Sequence, residues 1–295
     1  MLSLIQNKLF YVNNSVTYPP FKCGYYMEEY FLNYMINNKL KYDKNGRLYI
    51  PILWTNFQIE SWFQNVKNEM QQILDKYINE NHCENGYFTV VQYDDGPLLK
   101  LPANTIIYGA CSGNIPLPLI YEDNKNTLFN ILSNNKKPFN EKSILCSFVG
   151  TNTHKLRKNM ANILCNSEYF KIYIKNTWST DINVDLQQLF IDNTLNSKFA
   201  LAPRGYGRSS FRFFEIFQLG AIPIYIWDDI EWLPYKDKID YSKICISISE
   251  CDIEKLESIL LNIDENQYNT MKNEYEKIKY IFELEYICKY VLENE

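Results

Sequence analysis

Five residues late in the chain, Arg204-Gly205-Tyr206-Gly207-Arg208, set two guanidinium groups around two glycines, and Ser209 and Ser210 follow at once. Guanidinium groups match phosphate oxygens with paired donors. Glycines let the backbone come close to a ligand. Either serine can cap a helix, and a helix start offers unpaired N–H groups and the positive end of its dipole. The chemistry this combination serves is anion binding. Glu215 lies roughly 8–9 Å further along such a helix, which suits the ribose attached to a bound diphosphate. A carboxylate there accepts from two vicinal hydroxyls, so the set fits a nucleoside diphosphate. A second pair, Asp94 and Asp95, ends an apolar run and precedes Gly96. Carboxylates just past the carboxyl end of a strand are placed to act as a general base. A plain Asp-Gly turn uses the same residues, and both readings stand at this point.

These groups need strands and helices to hold them. Phe199 to Ala202 is a short apolar run of buried-strand type, and Pro203 breaks it. The helix after the serines runs to about Leu219, with Phe213, Phe214 and Phe217 on its apolar side, and Gly220 stops it. Ile222 to Trp227 is the next strand. Upstream, Ser143 to Gly150 has the continuous apolar character of a strand buried on both faces. Thr151 or Thr153 can cap the following helix. Its first turns carry His154, Lys155, Arg157 and Lys158. Cations there oppose the helix dipole unless an anion neutralises them. The arrangement is either an exposed basic face or a second anion contact.

In the first half, Arg47 to Phe57 reads as a strand ending in a loop. Residues 60–79 read as a helix with Trp62, Val66, Met70 and Ile73 on one side, Phe88 to Val91 as a buried strand, and Ile106 to Ile120 as another strand with a glycine-bearing loop. Residues 122–142 are rich in Asn and Lys and form the expected domain boundary. Alternating strands and helices in both halves imply two α/β layers. The expected domains are residues 1–140, residues 141–265, and C-terminal helices over 266–295 packing back on the first domain.

The composition bounds the function. A chain of 295 residues accommodates two domains. A net charge of −5 argues against a general nucleic-acid binder. Eight cysteines include no CxxC pair and read as reduced core thiols, and two histidines make a His/Cys zinc site a poor fit. No stretch reaches the roughly 18 apolar residues of a membrane span. With no signal peptide apparent at the N-terminus, the expected location is cytoplasmic or another cytosolic compartment. Gly205, Gly207 and Ser210 imitate the dinucleotide fingerprint but lack its third glycine, and the GK[ST] of a P-loop is absent.

The stretch PRGYGRSSFRFFEIFQLGAIPIYI (Pro203 to Ile226) resembles the signature of the exostosin-like glycosyltransferases, of GT47 type with the GT-B fold. WDDIEWLPYKDKIDYSKICISISE is similar to its continuation, so the likeness spans about fifty positions. The family often has cysteines flanking the first strand, where this chain has Ala200 and Ala202. The resemblance implies two Rossmann-like domains facing a cleft, with the nucleotide sugar held mainly by the second and a glycan or other hydroxyl acceptor by the first. It implies inverting transfer, most simply from a UDP-sugar. It adds Phe148, Gly150 and Arg157 as the family's FxG…Arg pattern, with Arg157 reaching the diphosphate opposite Arg204 and Arg208. The implied donor set is Gly150, Arg157, Arg204, Gly205, Arg208, Ser209, Ser210 and Glu215. The VVQYDDG segment resembles related bacterial proteins, which sets Asp94 or Asp95 as the base level with the plain-turn reading. Arginines and helix starts can stabilise the leaving diphosphate. Asp228 and Asp229 are adjacent and lack DxD spacing, so neither a metal nor a cofactor is expected. An inactive nucleotide- or sugar-binding module would carry the same donor residues.

Overall fold

The structure, a computed structural model, describes residues 2–11, 24–178 and 183–294. In chain order its elements begin with α1 (Leu2–Ile5), α2 (Met27–Asn37), β1 (Leu48–Tyr49), α3 (Trp54–Gln58), α4 (Phe63–Glu80), β2 (Tyr87–Val91), β3 (Thr105–Gly109) and β4 (Ile115–Pro116). They continue with α5 (Thr127–Asn135), β5 (Ile144–Thr151), α6 (Lys155–Leu164), β6 (Phe170–Lys175), α7 (Val184–Asn196), β7 (Ser197–Pro203), α8 (Phe211–Gln218) and β8 (Ile222–Trp227). The last are β9 (Ile246–Ser249), α9 (Leu256–Leu261), α10 (Glu265–Ile278) and α11 (Leu284–Glu293). The protein is thus α/β, with two parallel sheets.

Of the described residues, 2–11, 24–122 and 281–294 gather into one compact unit, and 123–178 with 183–280 into another. The chain divides at Glu122/Asp123, where the sequence suggested 140/141. The last two helices part company. In α10, Tyr268 is buried with its ring 5.9 Å from that of Phe199 and belongs to the second unit. Helix α11 packs on α2, and the Lys44 N–H donates to the Leu292 carbonyl, inside the first unit.

The first unit holds a four-stranded sheet in the order β1-β2-β3-β4. All five residues of β2 are buried. The expected strand over Arg47 to Phe57 is only two residues long, because Pro51 removes a ladder donor and the chain turns into α3 at Trp54. The buried stripe of α4 is Phe63, Met70, Leu74 and Tyr77. Trp62, Val66 and Ile73 pack at its margin, one position round from the expected face.

The second unit holds five strands in the order β6-β5-β7-β8-β9. The chain starts at β5, winds to β6 on one side, then crosses to β7, β8 and β9 on the other. That is a doubly wound sheet with its switch point between β5 and β7. Cys146, Phe148, Phe199, Leu201 and Ile224 form one core with Leu156 and Met160 of α6 and with Leu256, Leu260 and Tyr268. Gly220 takes φ +72° after α8, as a helix-stopping glycine does.

Candidate functional site

The carboxyl ends of β5, β7 and β8 bring the guanidinium-rich segments together. The β5–β7 ladder pairs Cys146 with Phe199 and Ser147 with Ala200, and ends there. Beyond that point the two strands leave carbonyls without ladder donors, which a buried backbone cannot tolerate. The Arg157 side chain meets that need. Its Nη1 donates to the Thr151 carbonyl at 2.8 Å, its Nε to the Arg204 carbonyl at 3.0 Å, and its Nη2 to the Pro203 carbonyl at 3.1 Å. Arg157 is buried, and its guanidinium carbon lies 5.7 Å from the Phe148 ring centroid. A Cβ at Gly150 would come within 2.5 Å of that ring. The Phe148-x-Gly150…Arg157 pattern is therefore one packed unit at the switch point. Arg157 spans the crevice mouth instead of projecting from it.

Arg204 is equally committed. Its Nη1 lies 2.8 Å from both Asp228 Oδ1 and Asp229 Oδ1, its Nη2 donates to the Tyr206 carbonyl, and its Nε donates to the Gly205 carbonyl. The side chain is 11% exposed. Arg208 is the open one, at 30% exposed, with Nε donating to Asp229 Oδ2 at 2.8 Å and its guanidinium 5.7 Å from the Trp232 ring. Its backbone is pinned by the Tyr225 hydroxyl, which donates to the Arg208 carbonyl and accepts from the Trp232 N–H. Burial pushes the Asp229 carboxyl upward, but the Ile230 N–H, Arg208 and Arg204 outweigh it and hold it down at about 2.

Gly205 is buried, and a Cβ there would stand 3.3 Å from Arg157 Nη2 and 3.5 Å from Thr153 Oγ1. The glycine gives that close approach room, and a side chain there would press on the Arg157 guanidinium. Thr153 Oγ1 is itself buried and makes no hydrogen bond, which marks it as an acceptor or donor waiting at the loop. Neither Thr151 nor Thr153 caps α6. Strand β5 runs on to Thr151, and His154, in extended conformation, takes the N-cap position. Its Nδ1 accepts from the Leu156 N–H, and its Nε2 lies 3.7 Å from Asp228 Oδ2. Burial, then Arg204, lower the His154 pKa.

Ser210 occupies the N-cap of α8, but its side chain makes no capping bond. Ser209 and Ser210 are both buried. Glu215 is 2% exposed and forms an ion pair with Arg212, whose Nε donates to the Val149 carbonyl at the end of β5. The Arg212 guanidinium lies 3.8 Å from the Phe190 ring centroid. The carboxylate thus faces the interior beside the switch point, held by a neighbour one helical turn back.

In the first unit, Asp94 and Asp95 occupy a turn closed by the Gly96 N–H on the Tyr93 carbonyl, just past β2. Asp94 is half-buried and Asp95 exposed. Gly96 has φ +75°, so the turn geometry requires the glycine. Gln58 clamps the segment, donating to the Gly96 carbonyl and accepting from the Leu98 N–H. One group with no sequence signal stands behind it. Glu28 is buried and accepts from the Gln92 N–H at 2.6 Å and from the Thr55 N–H and hydroxyl at 2.9 Å. Burial raises its pKa to about 7 against those three bonds. His82 is exposed and precedes β2, at the amino end of that strand. The thiols of Cys111, Cys146, Cys245 and Cys288 are buried and free.

Residues 114–263, half of the chain, match the family model of the exostosin GT47 domain. A probable glucuronosyltransferase of Oryza sativa (GUT1) is 35% identical over 89 residues, which is 30% of this chain and 21% of that protein. A probable β-1,4-xylosyltransferase of Arabidopsis thaliana (IRX10) is 34% identical over the same length, 30% of this chain and 21% of its own. An exostosin-1 homolog of Caenorhabditis elegans is 29% identical over 100 residues, 33% of this chain and 26% of its own. The matching segment spans about a fifth to a quarter of each relative. These relatives are a plant glucuronosyltransferase, a plant xylosyltransferase and an animal exostosin homolog, and the expected cytosolic location is withdrawn on that finding. Among the described residues no helix is long and apolar enough to cross a membrane, and this does not decide the compartment.

Proposed function

The chain belongs to the exostosin GT47 family, and we propose that it is an inverting glycosyltransferase that moves a sugar from a nucleoside-diphosphate sugar, most simply a UDP-sugar, to a hydroxyl of a glycan or other acceptor. The observation that carries this reading is the gathering of Arg157, Arg204 and Arg208 at the carboxyl ends of β5 and β7, at the switch point and within the segment that matches the family. Open α/β sheets bind ligands outside the carboxyl ends of their strands at such a point. The transferase names of the relatives favour a working enzyme over an inactive module.

In this reading Arg208 is the arginine that contacts the diphosphate. Arg157 and Arg204 act on the backbone of the loop and give it its shape. Gly150 makes room for the Phe148 ring and Gly205 for the Arg157 guanidinium, Ser209 and Ser210 start α8 toward the phosphates, and Glu215, oriented by Arg212, accepts from the ribose. Positive charge on the leaving diphosphate comes from Arg208 and the α8 start, so the reaction proceeds without a metal. Asp94 or Asp95 removes the acceptor proton in a single in-line displacement at the anomeric carbon. The fold type this reading calls for is GT-B, with the acceptor assigned to the first unit. Titration calorimetry of the full chain with UDP, ADP and GDP tests the donor half of the proposal. It predicts saturable binding of UDP that Arg208→Ala weakens tenfold or more, and no binding of any of the three would overturn it.

A further inference from the structure

The amino-terminal end of the second sheet carries a separate concentration of cations. Lys142 stands two residues before β5 and is only 5% exposed, with Nζ donating to the Leu195 carbonyl at 2.8 Å. Lys137 Nζ donates to Asn196 Oδ1 at 2.5 Å. Lys198 Nζ lies 3.8 Å from the Phe139 ring centroid and Lys272 Nζ 5.8 Å from that of Tyr268, and the two rings are 5.1 Å apart. Among the described residues none of these four lysines makes an ion pair. Of the nearby acids, Glu265 accepts from Asn140, and Glu276 pairs with Lys279 while its charge also reaches Lys272 and partly offsets the lowering of that lysine's pKa. Burial, then Lys272 and Lys137, bring the Lys142 pKa down to about 7, and burial, then Lys136, lower that of Lys272.

Ordinary structural roles account for part of this. Lys137 and Lys142 meet the last residues of α7, where cations suit the helix dipole. Each ammonium has three donors and uses one there. Among the described residues Lys198 and Lys272 make no such carbonyl bond, and their ammonium groups stand over the Phe139 and Tyr268 rings. The buried Lys142 ammonium, with Lys272 and Lys137 close enough to act on it, is unfavourable without a counter-charge. Lysine is a point-charge ligand well suited to phosphate, and a single carboxylate would balance only one of the four charges.

We propose that Lys137, Lys142, Lys198 and Lys272 form a binding site for a phosphate-class oxyanion, free or carried as a phosphomonoester on a larger molecule. The site is distinct from the Arg208 loop. The lysines gather at the amino ends of β5 and β7, and the loop leaves the carboxyl end of β7. Eight extended residues of β5 separate the two ends by about 25 Å.

Thermal-shift titration of the full chain with inorganic phosphate, against sodium chloride at equal ionic strength, tests the site. The variants are Lys198→Ala/Lys272→Ala, Lys142→Met and Arg208→Ala. The expected result is phosphate stabilisation of wild type and of Arg208→Ala, weakened tenfold or more in the Lys198→Ala/Lys272→Ala protein. That protein leaves Lys142 and its carbonyl bond in place, so the test survives if Lys142→Met does not fold. Sedimentation with vesicles containing phosphatidic acid, against phosphatidylcholine alone, assigns the source. Lysine-dependent vesicle binding makes the phosphate a headgroup, and phosphate binding without it makes the ligand soluble. Undiminished phosphate stabilisation in the lysine variants, or its loss in Arg208→Ala alone, would overturn the proposal and leave the lysines as a cap for α7. Neither readout depends on transferase activity, so the site can fail while the donor reading stands.

Discussion

Arg204→Ala and Arg208→Ala should separate shape from binding, although both residues come from one motif. Arg204 holds two carboxylates and two carbonyls from a side chain that is 11% exposed. Asp228, at 13% exposed, would lose its strong partner inside the protein, while Asp229, at 42%, would recover water. Breaking a buried pair costs about 3–5 kcal/mol, and the exposed half of the network brings the expectation to the lower end, about 3 kcal/mol. With a urea m-value of about 2 kcal/mol/M, the midpoint for the second unit should fall by roughly 1.5 M. Arg208 pairs with Asp229 across a 30%/42% exposed contact, and such pairs contribute about 0–1 kcal/mol. Arg208→Ala should keep a near-native midpoint, yet lose a charge-assisted phosphate contact of about 1.5–3 kcal/mol, ten- to a hundredfold in UDP affinity. Urea melts followed by tryptophan fluorescence and UDP calorimetry read the two effects on the same samples. Native stability in Arg204→Ala, or unchanged UDP affinity in Arg208→Ala, refutes this division of labour.

Glu215→Gln should lower UDP affinity and shrink the preference for ribose over 2′-deoxyribose, read by calorimetry with both nucleotides; equal loss for both would confine Glu215 to pairing with Arg212. One of Asp94→Asn and Asp95→Asn should abolish transfer and spare donor binding, since adjacent side chains point apart and a carboxylate base contributes typically 10²–10⁴-fold. Asp95, next to Gly96, is the expected one, and full activity in both variants would move the base elsewhere. Glu28 should leave a pH signature. Its folded pKa of about 7 exceeds the unfolded value near 4.5, so between them the folded state holds a proton the unfolded state lacks. Stability therefore declines as pH rises from about 4.5 to 7 and levels off above, by about 3 kcal/mol at most. Glu28→Gln should remove that slope from melting curves taken between pH 5 and 8, and an unchanged slope would assign it to other groups.

The β7–loop–α8–β8 unit was readable because its signals are local. An apolar run, a proline, two glycines and a helix-stopping Gly220 each act within a few residues. Phe148, Gly150 and Arg157 were likewise visible as a pattern, but not the job of Arg157. That depends on where the β5–β7 ladder stops, which is set by the packing of distant strands. Asp228 and Asp229 fail DxD spacing and so carry no metal signal in the sequence, yet the parallel β7–β8 register brings them to Arg204, more than twenty residues away in sequence. Glu28 carries no signal of its own in the sequence. Its burial is a tertiary effect, marked by the bond from the Gln92 N–H, 64 residues on. The N-cap of α6 moved from a threonine to His154 because β5 continues through Thr151, a boundary that sequence seldom fixes to the residue.

The account rests on sugar transfer from a nucleotide donor held at the β5/β7 crevice. The most direct measurement is the release of nucleoside diphosphate from a panel of nucleotide sugars, in the presence of mixed glycan acceptors, by the full chain and by Arg208→Ala. The account predicts acceptor-dependent release of UDP from at least one UDP-sugar, persisting in excess chelator and reduced tenfold or more in Arg208→Ala. Release that requires a divalent metal, or that is untouched by Arg208→Ala, would contradict it.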